Sequence, residues 1–384
     1  MNTTLKALMA LIKNALFGTD ASSLSLTEED AKALFRLSSR HDLTHIVGNA
    51  VCKNKLLPKG ELQARYEKAA FTALFRYQRL ASDLDLLCRL FEKENIPFMP
   101  LKGSVIRNRY PEPWMRTSCD IDILVKEADL AAAKALLVSN GFREDTEGSH
   151  DISLFSPQGT HIELHFRLME NYIAKGMDLP LADPWAHASP VREGSFRYEM
   201  TDAMFYYYHI AHMAKHYLHG GCGIRPFIDL YFLSHGCEFD KAARASLLSL
   251  GGLTEFAEAA EKLTAVWLLD DTRDALSASM EEFLLSGGVY GTKQNRITIQ
   301  QAKRGGKIGY ALSRIFLPYE ILKFHYPVLQ KHKWLLPVCE VRRWGKLIFL
   351  GGFRRSAEEL RLNQSVENAE KEKALLHLKK LGLS

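Results

Sequence analysis

Features that this 384-residue sequence lacks exclude several classes of protein. It has no run of about eighteen apolar residues, the length that a helix needs to cross a membrane, so we expect no membrane span. Its six cysteines form no Cys-x-x-Cys pair and no other metal-ligand spacing, which favours a reducing, cytoplasmic compartment. The apolar residues near the N-terminus fit a helical stripe better than the core of a signal peptide. With a mild net charge of +5, the composition is that of an ordinary globular protein.

The most informative residues are two aspartates inside an apolar run, Asp120 and Asp122. Side chains alternate between the two faces of an extended strand, so both aspartates lie on one face while Ile121 and Ile123 lie on the other. Two like charges side by side repel one another, and their burial is costly without a cation. Mg²⁺ is the expected cation, because it takes oxygen ligands and leaves positions open for substrate phosphates.

A third carboxylate is expected on a neighbouring strand, because two metal ions at a displacement reaction need more than two acids. In residues 160–166, apolar residues alternate with polar ones that include Glu163 and His165. This pattern predicts a strand, joined by a hairpin turn to another strand over residues 150–156. We therefore assign Glu163 as the third metal ligand.

A Lys-Gly-Ser turn ends sixteen positions before the first aspartate. Gly103 lets the backbone approach a ligand closely, and Ser104 together with the amides of the turn is suited to phosphate oxygens. Lys102 adds a positive charge for the same purpose. We expect a short strand over residues 96–99 before this turn, and a helix over residues 105–110 whose N-terminus faces the phosphates.

Together these motifs resemble the signature of the nucleotidyltransferase superfamily that includes DNA polymerase β and kanamycin nucleotidyltransferase. A wider set of residues is similar to one bacterial branch of that superfamily: Leu101-Lys-Gly103, Tyr110-Pro111, Arg116, Asp120-Ile-Asp-Ile-Leu124, Gly141-Phe142, Glu163-Leu-His165, and His212 to Asp229. The resemblance covers most of the chain and is best over residues 96–233. Lys102 stands where the superfamily often has glycine, whereas the paired acids are intact.

The resemblance implies transfer of a nucleoside monophosphate from a nucleoside triphosphate, with ATP as the first candidate, to an acceptor hydroxyl. Pyrophosphate would be released. Asp120 and Asp122 would hold two Mg²⁺ ions, and Glu163 would complete one site and accept the proton of the hydroxyl. His165 would orient these ligands from behind.

The fold expected from these patterns is α+β. A small mixed β-sheet, the nucleotidyltransferase core, is assigned to residues 96–200, after an N-terminal helical region at 1–95. A helical domain at 201–300 is expected to face the nucleotide cleft, and a basic helical region follows at 301–384. Thr27 and Thr201 are predicted helix caps, and the longest helix is predicted over residues 62–94.

The helix predicted from Thr201 to about Leu218 carries a further set of candidate residues. The resemblance implies that Lys215 neutralises triphosphate charge, with His212 or His216 forming hydrogen bonds nearby. Arg225 and Asp229 follow on the next predicted helix, and we expect Asp229 to position Arg225 or Lys215, but a polar network of the core explains them nearly as well.

Some of these assignments have alternatives. Arg116 is expected to contact the triphosphate or to orient Asp122, but an ion pair that anchors its loop explains it equally well. His212 and His216 also have the four-residue separation of a zinc site, although no further ligand is evident and the glutamate of a His-Glu-x-x-His protease motif is absent.

The last third of the chain is strongly basic. Between residues 303 and 355, twelve Lys or Arg residues stand against two acids, and aromatic residues lie among them. Such a segment is typical of contact with nucleic acid, an anionic lipid surface or an acidic acceptor, or of a solvated positive face. Two other functions therefore stay open: an RNA-binding protein led by this segment, and a nucleotide-binding regulatory or antitoxin-like partner without transfer activity. The acceptor, whether a small molecule, a protein side chain or an RNA end, stays open as well.

Overall fold

The computed structural model describes residues 3–169, 176–235, 238–349 and 353–384. The fold is α+β, as predicted: helices surround a five-stranded mixed sheet, and a separate two-stranded sheet adjoins it near Phe98. Among the described residues, no helix combines the length and the apolar composition needed to span a membrane. The boundaries assigned from the sequence at residues 95, 200 and 300 stay a prediction.

Helices form the chain before the sheet: α1 Thr3–Phe17, α2 Glu28–Arg40, α3 Thr44–Lys53 and α4 Glu61–Lys93. Thr27 caps α2 as predicted, because its hydroxyl accepts a hydrogen bond from the amide of Asp30, whose carboxylate in turn accepts one from the Thr27 amide. The 33-residue α4 is the long helix expected from the sequence.

The elements of the sheet region are β1 Phe98–Pro100, α5 Gly103–Ile106, β2 Asp120–Val125, α6 Leu130–Ser139, β3 Arg143–Glu147, β4 Asp151–Phe155, β5 His161–His165, β6 Ala188–Pro190 and β7 Tyr198–Met200. In the larger sheet the strand order is β1-β2-β5-β4-β3. Only β2 and β5 are parallel neighbours, and their register places Asp122 beside Glu163. The predicted hairpin between β4 and β5 is confirmed.

The two faces of this sheet pack against different partners. Ile121 and Ile123 are buried with Leu87 and Phe91 of α4, and with residues of α6, in one apolar cluster. The opposite face carries the aspartates. It meets a larger core that joins α1 to α3 with the helices after residue 200. Because alternation along β2 sends apolar side chains to the first core, the acidic side chains face the space between the sheet and those later helices.

Helices form the rest of the described chain: α7 Asp202–Leu218, α8 Arg225–Ser234, α9 Lys241–Leu250, α10 Thr254–Leu268, α11 Ala275–Ser286, α12 Lys293–Lys303, α13 Lys307–Ile315, α14 Tyr319–His325, α15 Val328–Lys331, α16 Leu336–Phe349, α17 Phe353–Ser365 and α18 Asn368–Lys380. The predicted cap of α7 is confirmed, since the Thr201 hydroxyl accepts the Met204 amide. Residues 350–352 of the basic segment lie outside the described residues.

The structure differs from the sequence-based expectation at two elements that concern the site. The helix expected over residues 105–110 is only the one-turn α5 followed by a 3₁₀ turn over Arg107–Arg109, because Tyr110 precedes Pro111 and is held extended. Strand β3 was not predicted, since its five residues are all polar and exposed and show no alternation.

Candidate active site

A cleft of about 560 Å³ lies between the acidic face of the sheet and helices α7 and α8. Ten of the twelve site residues predicted from the sequence line it: Lys102, Gly103, Arg116, Asp120, Asp122, Glu163, His212, Lys215, Arg225 and Asp229. Tertiary structure therefore brings together residues that are more than a hundred positions apart in the chain.

The acids of the two parallel strands form two overlapping groups that are suited to a cation. Asp120, His161 and Glu163 offer ligand atoms that all lie within 4.8 Å of one another, and so do Asp122, Glu163 and His165. Glu163 belongs to both groups because the β2–β5 register sets it directly beside Asp122. Each group thus combines two carboxylates with one imidazole.

Lys102 provides the positive charge nearest to these acids. Its Nζ donates a hydrogen bond of 2.7 Å to Oδ1 of Asp122 and lies 3.9 Å from Oε2 of Glu163. Burial by itself lowers the pKa of a lysine, but Asp122, Tyr208 and Glu163 outweigh it and raise the pKa of Lys102 well above its usual value. Lys102 is therefore held charged, as the counter-ion of the acid cluster.

The backbone of Lys102 is strained. Its φ of 43° and ψ of −120° belong to the first central position of a type II′ turn, which is closed by a 3.0 Å hydrogen bond from the Ser104 amide to the Leu101 carbonyl. Glycine is the usual residue at that position, because a Cβ there is crowded by the backbone. Lys102 stands where the superfamily often has glycine, and the structure shows the consequence. The lysine side chain lies beside the acids, but its backbone adopts an unfavourable conformation.

His165 lies behind the cluster and is almost fully buried. Its Nε2 donates a 2.9 Å hydrogen bond to Asp122 Oδ1 and is 3.3 Å from Glu163 Oε2. Burial opposes charge on this ring, but the hydrogen bonds to the two acids raise the pKa of His165 above its usual value. The ring orients both carboxylates without reaching the cleft.

The two aspartates are in different electrostatic states. Burial alone would raise the pKa of Asp122, but Lys102 and His165 outweigh it and hold that pKa well below its usual value. The pKa of Asp120 is raised, by burial first and then by Asp122 and Glu163. The three carboxylates of the cluster thus outnumber its two positive partners, Lys102 and His165.

Ser104 is the predicted phosphate-binding residue that does not line the cleft. Its side chain is buried, its hydroxyl has no hydrogen-bond partner among the described residues, and its amide closes the turn. A different serine reaches the cleft: Ser118 accepts a 2.7 Å hydrogen bond from Arg107, which also donates to the Gly103 carbonyl. No local pattern in the sequence indicates this link between the turn and β2.

Arg116 and Asp229 form an ion pair across the cleft floor. Nε of Arg116 lies 2.9 and 3.0 Å from the two carboxylate oxygens of Asp229, and the Tyr110 hydroxyl donates a 2.7 Å hydrogen bond to the same carboxylate. Of the roles considered for Arg116, the structure contains the anchoring ion pair. The Arg225 guanidinium does not pair with Asp229 as predicted but donates to Asp42, at 2.8 Å. The pairing of Asp229 with Lys215 stays a prediction.

Comparison with families of known sequence agrees with this geometry. Residues 27–268, well over half of the chain, match the model of a family described as uncharacterised nucleotidyltransferases. The chain belongs to this nucleotidyltransferase family. It is thus an enzyme of the transferase class, with a nucleotide as substrate. Searches of the curated proteins and of the solved structures found no match.

In this nucleotidyltransferase, α7 forms the wall opposite the acids. His212 and His216 lie in contact, with their Nε2 atoms 3.2 Å apart, and both line the cleft with Lys215. Burial first, then His216, Lys102 and Lys215, hold the pKa of His212 well below its usual value, so its ring is neutral. In the described part of the chain, the groups able to hold a metal do not include this pair, which leaves the zinc alternative without support.

Sequence reasoning missed several residues that line the cleft of the nucleotidyltransferase. Asp42, between α2 and α3, accepts hydrogen bonds from Arg225 and from the Thr117 hydroxyl, and Tyr290 lies at the rim beyond α11. Both residues are far from the motifs along the chain. Asp42 has an uncommon positive φ of 54°, but nothing in the sequence around it indicates that it enters the site.

Proposed function

We propose that this enzyme transfers a nucleoside monophosphate from a nucleoside triphosphate, with ATP as the first candidate, to an acceptor hydroxyl, and releases pyrophosphate. We also place it in the superfamily of DNA polymerase β and kanamycin nucleotidyltransferase. One observation carries the proposal: Glu163 offers a carboxylate oxygen within 4.8 Å of one from Asp120, and likewise within 4.8 Å of one from Asp122. These acids lie on adjacent parallel strands in the wall of a cleft. Three carboxylates with this spacing suit the phosphoryl-transfer chemistry that two metal ions support.

The residues fit Mg²⁺ better than a softer metal. The cluster offers mainly carboxylate oxygens, which Mg²⁺ prefers, and the Nε2 of His165 is engaged with Asp122. The three acids outnumber their positive partners, Lys102 and His165, so divalent cations would complete the balance of charge. Asp120 and Asp122 would hold two ions and Glu163 would complete one site. Bound Mg²⁺ would offset the negative charge of the phosphates.

The chain's own residues would then hold and direct the reactants. Lys102 and Lys215 line the cleft on opposite walls and would bind triphosphate oxygens, with Arg225 near the second wall. The acceptor oxygen would form a bond to the α-phosphorus as the bond to the bridging oxygen breaks. Glu163 would take the hydroxyl proton, and pyrophosphate would leave with the displaced electron pair.

Calorimetric titration with each of the four ribonucleoside triphosphates and Mg²⁺ tests this function. We expect metal-dependent binding of at least one triphosphate by the wild type, and loss of the metal dependence in Asp120→Asn. Asp151→Asn is a matched control, since Asp151 also lines the cleft but belongs to neither ligand group. A wild type that binds no triphosphate with Mg²⁺, or equal effects of the two variants, would contradict the proposal.

A labelled form of the triphosphate that binds would next be used to search for the acceptor. Transfer of the α-phosphate label, and not of the γ-phosphate label, is expected if the bond between the α- and β-phosphates is the one that breaks. Transfer of the γ label would show a kinase reaction instead.

A further inference from the structure

Tyr290 is an exposed aromatic side chain at the edge of the cleft. It is 80% exposed although it lines the site, and among the described residues it is the only large exposed hydrophobic side chain that does so. Within that part of the chain, its ring and hydroxyl have no aromatic or hydrogen-bonding partner. The residue also lies beyond position 268, where the match to the family ends.

Two glycine-rich loops fix the position of this tyrosine. The loop between α11 and α12 packs so closely against the loop between α7 and α8 that a Cβ on Gly291 would lie 2.0 Å from the Gly220 carbonyl oxygen. A Cβ on Gly223 would lie 3.0 Å from the Cα of Val289. The Val289 amide also donates a 3.1 Å hydrogen bond to the Arg40 carbonyl. Backbone contacts on both sides thus anchor the segment that carries Tyr290.

The anchored loop joins the wall that faces the acids. The loop it packs against follows directly on α7, which carries His212 and Lys215, and leads into α8, which begins at Arg225. If the triphosphate occupies the space between the acids and these cations, we expect its base to extend toward the rim of the cleft, where Tyr290 lies. An exposed ring on a fixed backbone is suited to stacking on a planar group, because little conformational freedom is lost on binding.

We propose that Tyr290 forms the nucleobase-binding surface of the site, by stacking its ring on the base of the bound nucleoside triphosphate. This inference rests on the proposed function and adds the part of the substrate that the acids and lysines do not recognise. Stacking favours the larger rings of purines, so the site should prefer ATP or GTP to CTP or UTP.

The test compares a nucleotide with a ligand that has no base. ATP, CTP and inorganic tripolyphosphate are titrated, with Mg²⁺, into the wild type, Tyr290→Ala and Tyr290→Phe. We expect Tyr290→Ala to weaken ATP binding by about tenfold to a hundredfold. Tripolyphosphate binding should be unchanged, and Tyr290→Phe should restore ATP binding because it keeps the ring. Equal loss of ATP and tripolyphosphate, or no loss of ATP, would overturn the inference.

A second pair of variants tests the glycine contacts. Gly291→Ala places a Cβ against the Gly220 carbonyl, whereas Gly18→Ala has a similar positive φ, 70° against 67°, with open space around it. Because the two φ values are close, the main difference between the variants is the contact that the new Cβ makes with the neighbouring loop. We expect Gly291→Ala to weaken ATP binding as Tyr290→Ala does, and Gly18→Ala to leave it unchanged. Unchanged ATP binding in a folded Gly291→Ala would contradict a fixed position for Tyr290.

Failure of this inference can be told from failure of the proposed function. A wild type without Mg²⁺-dependent nucleotide binding removes the function, and the stacking role falls with it. Binding that depends on Asp120 but not on Tyr290 leaves the function in place and overturns only the stacking role. A Tyr290→Ala variant that binds ATP normally but needs more acceptor would assign the ring to the acceptor, which also overturns the proposal.

Discussion

Two acidic sites line the same cleft, and their charges are balanced differently. Asp229, only 1% exposed, has its own arginine, Arg116, at 2.9 Å and a hydroxyl donor in Tyr110. On the sheet, three acids share Lys102 and the buried ring of His165. The pKa of Asp229 is lowered, since Arg116 and His209 outweigh the effect of burial, whereas burial and the neighbouring acids raise the pKa of Asp120.

We infer from this difference that the Arg116–Asp229 pair stabilises the fold, whereas the acids of β2 and β5 are arranged to bind a cation. A buried charge that is fully paired has nothing to gain from a cation and much to lose from disruption. Acids in excess of their counter-ions repel one another until a cation arrives. We therefore assign Asp229 mainly to structure and the acids of β2 and β5 to function, although the sequence alone placed all of them in one binding site.

Removing the partner of Asp229 should have the largest effect on stability. Arg116→Ala leaves a buried carboxylate without its counter-ion, so we expect the free energy of unfolding to fall by about 3–5 kcal/mol. Urea denaturation measures it. Arg89→Ala is the control, because Arg89 and Asp85 form an exposed pair one helical turn apart, whose loss should cost about 1 kcal/mol or less. Similar losses in the two variants would show that the Asp229 cluster is not a structural pair.

The two aspartates of β2 should respond differently to neutralisation. Asp120→Asn should lower kcat by about a hundredfold to a thousandfold, the effect of losing one charge-stabilising group, without a loss of stability, since it removes repulsion. Asp122→Asn should lower both activity and stability, because Lys102 and His165 lose their shared partner. The sequence alone assigned the two aspartates the same role.

Activity assays with Mg²⁺, and thermal unfolding in the absence of divalent ions, separate these effects in the two variants. Full activity in Asp120→Asn would remove that residue from the site. A melting temperature of Asp120→Asn as low as that of Asp122→Asn would show that the charges of the acid cluster are balanced without a cation.

The strained turn at Lys102 allows a further test with two variants. Lys102→Ala and Lys102→Gly both lose the hydrogen bond to Asp122, but only glycine relieves the backbone. We expect Lys102→Gly to be more stable than Lys102→Ala by about 1–3 kcal/mol, the cost of such backbone strain. At an unstrained position glycine would be the less stable of the two.

Chemical denaturation of both Lys102 variants measures this difference. Nucleotide binding should be weakened to a similar degree in the two, because neither has the cation. An alanine variant at least as stable as the glycine variant would show that the turn relaxes without the lysine.

The pH dependence of stability should show the smallest effect, with opposite signs for the two clusters. The folded pKa of Asp229 lies below the usual 3.8, so its stabilising contribution is lost as the pH falls through that folded pKa. The folded pKa of Asp120 lies above 3.8, so the native state binds the proton more tightly and stability is lost as the pH rises through it.

Unfolding measured without divalent ions from about pH 3 to about pH 7 checks the second sign. The stability of Asp120→Asn relative to the wild type should increase with pH, since asparagine does not titrate. A difference that stays constant over this range would contradict a raised pKa at Asp120.

Local patterns in the sequence predicted the elements that lie close to the chemistry. Alternation in β2 and β5 identified both strands and the shared face of Asp120, Asp122 and Glu163, because the period of a strand fixes which residues lie side by side. Hydroxyl caps located the starts of α2 and α7 for an equally local reason. The all-polar β3 and the short α5 were not predicted, since tertiary contacts and Pro111 override weak local signals there.

The partners of buried charges could not be predicted in the same way. Arg116 and Asp229 are 113 positions apart, and Arg225 and Asp42 are 183 apart, so no spacing rule relates them. Ser104 looked suited to phosphate by its place in the turn, but the type II′ geometry directs its side chain into the core.

By itself, the sequence determined the acid strands, the strand face that carries the acids, the family of the enzyme and the α+β class. Those properties depend on residues close together in the chain and on the fixed periods of strands and helices. Only the tertiary structure decided that Lys102 is the counter-ion of Asp122, that Arg116 is committed to Asp229, and that Tyr290 stands at the rim of the cleft. Each of these depends on how segments that are far apart in the chain pack against one another. Local sequence patterns do not specify that packing.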